Sequence, residues 1–250
     1  MNSVAHDHQA TLHGCPAFAA RVARLDWPRI GAEVDALGCA TTGPLLDTAE
    51  CVRLRAAYAE PEAFRSRVVM ARHGFGRGEY QYYAYPLPPP LAALRAAFYR
   101  WLAPLANRWQ ELAGRDDRYP EAHEQYLARC RAAGQARPTP LLLRYGAGDY
   151  NCLHQDRYGG ELFPLQVAIL LSAPGTEFTG GEFVLTEQRP RAQSRVEVVP
   201  LAQGEAVIFA VDRRPARGRR GVHHLRLRHG VSQLRSGERY TLGLILHDAT

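Results

Sequence analysis

The chain contains no lysine. All 31 of its basic residues are arginine, against 25 acidic residues, and the formal net charge is +6. Arginine forks suit carboxylates and phosphates. The same chain is also rich in Ala, Gly and Pro, as a GC-rich coding bias produces, so the total charge permits a nucleic-acid partner without specifying one. Cysteine is scarce and odd in number: Cys15, Cys39, Cys51, Cys130 and Cys152, with no CxxC. That excludes a disulfide framework and a zinc knuckle and fits a reducing compartment. No apolar run approaches the ~18 residues of a membrane span. Residues 1–14 hold three histidines and neither a basic n-region nor an apolar h-region. The expectation is a cytoplasmic protein with no membrane partner.

With 250 residues, the chain is long enough for one domain with a well-buried core. Residues 1–14 read as a mobile tail and 15–140 as helical support. Asp47-Thr-Ala-Glu50 has the capping-box pattern of a helix start, and Leu94, Phe98, Trp101, Leu102, Leu105 and Trp109 are read as one apolar face of a helix. Within this half, residues 68–90 are glycine-punctuated and aromatic (His73-Gly-Phe-Gly-Arg-Gly78, then Tyr80, Tyr82, Tyr83 and Tyr85), which suggests a hairpin or lid. From 141 to 250 short apolar runs alternate with turn residues, the texture of a sandwich or barrel. The fold class expected is mainly β with helices: a double-stranded β-helix (a cupin-like jelly roll) supported by N-terminal helices.

The chemistry concentrates in Leu143-Arg-Tyr-Gly-Ala-Gly-Asp-Tyr-Asn-Cys-Leu-His154-Gln-Asp156. On a strand, residues i and i+2 share a face, so His154 and Asp156 can converge on one ion. A third ligand from a distant strand has four candidates: His223, His224, His229 and His247. His229 is chosen because it follows the alternating Leu225-Arg-Leu-Arg228 and precedes a returning strand that bears Arg239 and Thr241 on one face. Two histidines and one carboxylate with open positions are the ligand set of non-haem Fe(II) oxygenases. An adjacent arginine gives the far carboxylate of a dicarboxylic co-substrate a charge-assisted partner.

On the order His154, Asp156, His229 and Arg239, with Gly180-Gly-Glu-Phe and Leu201-Ala-Gln-Gly-Glu-Ala-Val-Ile-Phe between them, residues 141–248 resemble the Fe(II)/2-oxoglutarate-dependent dioxygenase superfamily. Arg144 to Asp156 is similar to the AlkB-type nucleic-acid demethylases, in which the tyrosine matching Tyr145 touches 2-oxoglutarate. The chain departs from that pattern at Leu143, Thr241 and Ile245, where AlkB-type proteins carry Asn, Asn and Arg. The ten-residue interval from His229 to Arg239 looks instead like prolyl hydroxylases. The whole also resembles prokaryotic oxygenases thought to act on damaged nucleic acid.

The resemblance implies metal ligands His154, Asp156 and His229, which are also the catalytic residues. It implies co-substrate contacts from Arg239, Thr241 and Tyr145, and Fe(II), 2-oxoglutarate and O2 as cofactors, with ascorbate as reductant. The activity implied is hydroxylation of a substrate C–H coupled to decarboxylation of 2-oxoglutarate. The partner is then single-stranded or damaged nucleic acid, demethylated oxidatively in DNA repair, or alternatively a protein or amino-acid side chain. A more distant reading is a non-catalytic sensor module. Tyr80 and Tyr82 are candidates to stack on an extruded base, or members of an ordinary strand pair. Arg219 and Arg220, in the arginine-rich run from 213 to 228, are candidates for a phosphate-binding rim.

Overall fold

The apolar run Leu165–Leu170 forms strand β7, and every residue of it is buried. In the computed structural model, which describes residues 17–189, 191–218 and 221–250, β7 is an inner strand of the larger of two facing sheets. Its neighbours are β11 (Glu205–Ala210) and β15 (Arg239–Ile245), both antiparallel to it. Beyond them lie β1 (Cys39–Pro44) on one side and β5 (Leu141–Tyr145), β4 (Glu79–Tyr83) and β2 (Phe64–Val69) on the other. A strand with sheet on both edges and packing on both faces has no exposed side to make polar, hence its near-continuous apolar sequence.

The smaller sheet runs β10 (Arg195–Val199), β9 (Phe183–Gln188), β13 (Gly221–Val231), β6 (Tyr150–His154) and β3 (Gly76–Arg77), with β12 (Arg213–Gly218) also paired to β13. The two sheets pack face to face: Phe183 of β9 and Phe209 of β11 bring their rings to 4.9 Å. A short ribbon of β8 (Phe178–Gly180) and β14 (Leu234–Gly237) closes one end. The arrangement is the double-stranded β-helix expected from the sequence.

Helices cover the outer face of the larger sheet. α1 (Trp27–Leu37) is capped by Asp26 and ends on Gly38 at φ 84°, the left-handed geometry that favours glycine. α2 (Thr48–Ala56) carries the reciprocal Asp47–Glu50 capping box. α3 (Pro89–Leu112) buries Leu94, Phe98, Leu102, Leu105 and Trp109 of the expected stripe, whereas Trp101 is exposed and stacks on Trp27. α4 (His123–Ala132) packs beside it.

Two expectations change. Residue 141 does not divide helices from strands, because β1, β2 and β4 come from the N-terminal half and join the larger sheet. Much of the 68–90 segment is therefore sheet edge: Tyr80 and Tyr82 pair across to Leu143 and Leu141 of β5. Backbone pairing and the buried Tyr83 fix this hairpin to the core. The tail at 1–14 lies outside the described residues.

Candidate active site

β6 ends at His154, and β13 runs antiparallel beside it so that His229 is the register partner of His154. Their rings lie 4.2 Å apart. Asp156 is two residues beyond the end of β6, in an irregular segment, yet its carboxylate reaches both. Oδ1 is 3.5 Å from His154 Nε2, and Oδ2 is 3.4 Å from His229 Nε2. One potential ligand atom from each residue lies within 4.8 Å of the other two. Asp156 and His229 are buried.

The surroundings orient these groups. His154 Nδ1 lies 2.7 Å from the Cys152 carbonyl. A carbonyl only accepts, so Nδ1 carries a proton and Nε2 is the atom that faces Asp156. Tyr158 donates to Asp156 Oδ1 at 2.7 Å and receives a hydrogen bond of 3.1 Å from Tyr82. Burial disfavours the Asp156 carboxylate, but the facing imidazoles of His154 and His229 outweigh it and hold the acid well below its usual range. Burial also disfavours the charged form of His154, and the bond and charge of Asp156 reverse that, raising it. Burial and the neighbouring His154 push His229 down.

The larger sheet supplies the opposite wall. Arg239 opens β15 opposite Tyr145 of β5, and Thr241 follows on the same face. Arg239 is 2% exposed. Nη1 donates to Thr241 Oγ1 at 2.6 Å, and the guanidinium carbon lies 5.7 Å from the Tyr145 ring centroid and 6.0 Å from that of Phe178. Gly181 at φ 66° lets the chain pass close: a Cβ there would come 3.1 Å from Arg239 Cδ and 2.1 Å from Leu234 Cδ1. Among the described residues no carboxylate is within ion-pair distance of Arg239. Burial lowers its pKa to about 10, which still leaves it charged at neutral pH.

Triad and arginine open on one cavity of about 400 Å³, whose apolar walls include Leu141, Leu143, Phe183 and Phe209. A larger groove of about 1120 Å³ lies elsewhere, over β2 and β4, and holds none of the triad. Three of its arginines are matched to acids, Arg55 to Glu177, Arg67 to Glu79 and Arg144 to Glu238.

The residues present fit a metal and a dicarboxylate. The imidazole–carboxylate separations are long for hydrogen bonds, but near the ~3 Å expected between adjacent ligands at about 2.1 Å from one ion. Arg239 is a buried cation whose Nε has no partner. A buried charge needs a counter-charge, and a ligand carboxylate would provide it.

Residues 78–249 match a family of oxygenases described as catalysing oxidative methylation of damaged DNA. The chain belongs to this oxygenase family. Uncharacterized proteins from two strains of Mycobacterium tuberculosis are 51% identical to it over 164 residues, 66% of this chain and 70% of theirs. Solved structures show the fold. An oxidoreductase of the 2OG-Fe(II) oxygenase family from Burkholderia pseudomallei matches with a TM-score of 0.53 and 18% identity, over 91% of this chain and 94% of that one. A prolyl 4-hydroxylase from Phytophthora capsici matches with a TM-score of 0.51 and 16% identity, over 90% of this chain and 63% of that one. The fold is thus the one found in a 2OG-Fe(II) oxygenase and a prolyl 4-hydroxylase. Among the described residues no helix is long and apolar enough to cross a membrane.

His154, Asp156, His229, Arg239, Thr241, Tyr145 and Tyr80 all line the one cavity of this oxygenase. Tyr82 does not: it lies behind Asp156, bonded to Tyr158 and stacked against Arg65. His223 and His224 sit on the β12–β13 hairpin, while His247 is buried and accepts from the Phe163 amide. Arg219 and Arg220 lie outside the described residues. Of their neighbours, Arg214 is buried and holds Glu187 and two carbonyls of α1, a structural role. Sequence reasoning missed Tyr158 and Gln166, which also line the cavity. Each had a signal: Tyr158 is two residues past Asp156, and Gln166 is the one polar residue in β7.

Proposed function

We propose that His154, Asp156 and His229 hold the iron of this oxygenase, that Arg239 with Thr241 and Tyr145 holds 2-oxoglutarate, and that the enzyme demethylates alkylated bases in single-stranded or damaged nucleic acid. The observation that carries the reading is the buried, uncompensated Arg239 in the same cavity as three convergent ligand side chains. The family description supports the substrate class.

Bound together, Fe(II), 2-oxoglutarate and O2 supply the oxidising power, one oxygen atom leaving in succinate with release of CO2 and the other entering a substrate C–H bond. The protein's own groups do the rest. Two imidazoles and one carboxylate would hold the ion and leave positions for the co-substrate and oxygen. Arg239 anchors the far carboxylate through its fixed fork, and Thr241 fixes the guanidinium. Tyr158, held by Tyr82, keeps the Asp156 carboxylate from rotating. Leu141, Leu143, Phe183 and Phe209 exclude water, so the oxidant meets the substrate rather than solvent. If the oxidised carbon is an N-methyl group, hydroxylation gives a hemiaminal, which falls apart to formaldehyde and the N–H base.

The test is formaldehyde release from N-methylated single-stranded DNA by the iron-loaded protein with 2-oxoglutarate, with Asp156→Ala as control. Formaldehyde that vanishes in the variant supports the reading. Asp156-dependent succinate without formaldehyde, stimulated by a peptide or amino acid, would move the substrate to a protein or amino-acid side chain.

A further inference from the structure

We infer that Gln166 reads the polar edge of the substrate, and that this edge is one of a nucleobase, with a hydrogen-bond donor and acceptor side by side. The inference rests on the substrate class proposed above and goes further, to the residue that selects among bases.

Gln166 is the single polar residue in Leu-Gln-Val-Ala-Ile-Leu, the most enclosed strand of the protein. It is 4% exposed, lines the cavity, and its Oε1 has no hydrogen-bond partner. Leaving such a group unsatisfied costs about 1–3 kcal/mol. The other buried or half-buried amides of the cavity are engaged: Gln155 donates to Asp212 and to the Leu227 carbonyl, and Asn151 to Tyr145. Buried, unpaired and aimed into the cavity, Gln166 is a hydrogen-bonding group that awaits a ligand.

Its position excludes the co-substrate. Gln166 is the register partner of Phe209 on β11, whose ring lies 4.6 Å from that of His229. On the other edge its partner is Ile245, six residues along β15 from Arg239. Six residues of strand span about 20 Å, whereas a five-carbon diacid is only about 6 Å between its terminal carbons. Arg239 and Gln166 therefore stand at opposite ends of the cavity, and a diacid that runs from Arg239 to the triad has no carboxylate left for Gln166. The amide serves whatever enters on the far side of the triad.

The shape there suits a planar ring. One step along β7, Ala168 pairs with Gly243 of β15, so the floor carries almost no side-chain bulk. A Cβ on Gly243 would come 2.6 Å from Leu141 Cδ2. Walls of Phe209 and Phe183 on one side and Leu141 and Leu143 on the other complete an apolar slot. A carboxamide at the end of such a slot can accept and donate in one plane, the bidentate geometry by which Gln recognises a base edge.

The experiment compares wild type with Gln166→Leu and Gln166→Glu. Redox-inert Mn(II) replaces iron for binding of oligonucleotides carrying 1-methyladenine, 3-methylcytosine or 3-methylthymine, and Fe(II) is used for kcat and KM on the same set. Gln166→Leu should weaken binding of the preferred base about five- to a hundredfold, the range of one bidentate base contact, with 2-oxoglutarate affinity as in wild type. Gln166→Glu, which replaces the NH2 donor by an acceptor, should shift preference toward bases with an exocyclic amino group and away from 3-methylthymine. Two results overturn the inference while leaving the substrate class standing: unchanged relative kcat/KM across the three bases in both variants, or a loss of 2-oxoglutarate affinity equal to the loss for the base. If wild type neither binds nor demethylates any of the three, the substrate class falls and the inference with it.

Discussion

Tyr158 donates a 2.7 Å hydrogen bond to Oδ1 of Asp156, and the pair is backed by Tyr82 at 3.1 Å from the Tyr158 hydroxyl. Burial and the adjacent Asp156 charge raise the phenol well above its ordinary pKa, so it stays a donor at neutral pH. The carboxylate is thereby left one oxygen free for a metal. Groups of this kind typically set metal affinity by ~10–100-fold. Tyr158→Phe, which keeps the ring, should weaken Fe(II) or Mn(II) binding by about that factor with little change in thermal stability. Calorimetric titration of the metal-free protein measures it, and an affinity equal to wild type would show that Asp156 needs no such support.

Removing Arg239 separates ligand binding from folding. Among the described residues its buried charge has no carboxylate partner, so Arg239→Leu should not lower the melting temperature. The same variant should lose 2-oxoglutarate affinity by at least about thirtyfold, since truncating one side of a buried charge pair costs about 2–5 kcal/mol. Wild type should gain thermal stability on adding 2-oxoglutarate with Mn(II), and the variant should not. Arg239→Lys should bind poorly as well, because a point charge does not replace a fork.

Arg95 shows what a compensated buried arginine looks like in the same chain. It bonds Asp248 at 2.8 Å and the carbonyls of Ile245 and His247 at 2.8 and 3.0 Å, with both charged side chains inaccessible. It thus ties α3 to the end of β15, the strand that bears Arg239 and Thr241. Asp248→Ala leaves Arg95 unpaired and should destabilise the fold by about 3–5 kcal/mol, read by urea unfolding. The double variant Arg95→Leu, Asp248→Leu should recover much of that loss. A single variant as stable as wild type contradicts the assignment.

Two buried histidines set an acid limit on stability. Burial, then the charge of Arg95, lowers His123 to about 3 and His247 to about 4. Both values lie below the ~6.5 of an unfolded chain. The unfolded state therefore takes up protons from about pH 6.5 downward while the folded state does not. Stability is complete above that pH and declines by about 1.4 kcal/mol per pH unit per histidine on acidification. His247→Gln should show a smaller drop in urea midpoint between pH 7 and pH 5 than wild type. Equal drops would mean that His247 does not titrate as described.

The site was more legible than the sheet that carries it. Residues separated by two or ten positions on adjacent segments, such as His154 and Asp156 or His229 and Arg239, leave a local pattern. The capping box at Asp47 and the stripe on α3 are likewise local. Asp156 converges although β6 stops at His154, so the i, i+2 argument reached the right pair by a strand shorter than it assumed. For Tyr80 and Tyr82 the choice between a lid and a strand pair stays open in the sequence, because pairing with β5, about 60 residues away, leaves no periodic trace. Gln166 was missed because one polar residue in an apolar run tells little until its register partners are known.

The central claim is that triad and arginine form one iron and 2-oxoglutarate site. Anaerobic addition of 2-oxoglutarate to the Fe(II)-loaded protein, followed by visible absorption, tests it most directly. Chelation of Fe(II) by the keto acid gives a charge-transfer band. The band should appear in wild type, require much more 2-oxoglutarate in Arg239→Leu, and be absent in Asp156→Ala at the same iron concentration. A band of equal strength and midpoint in all three proteins would contradict the account.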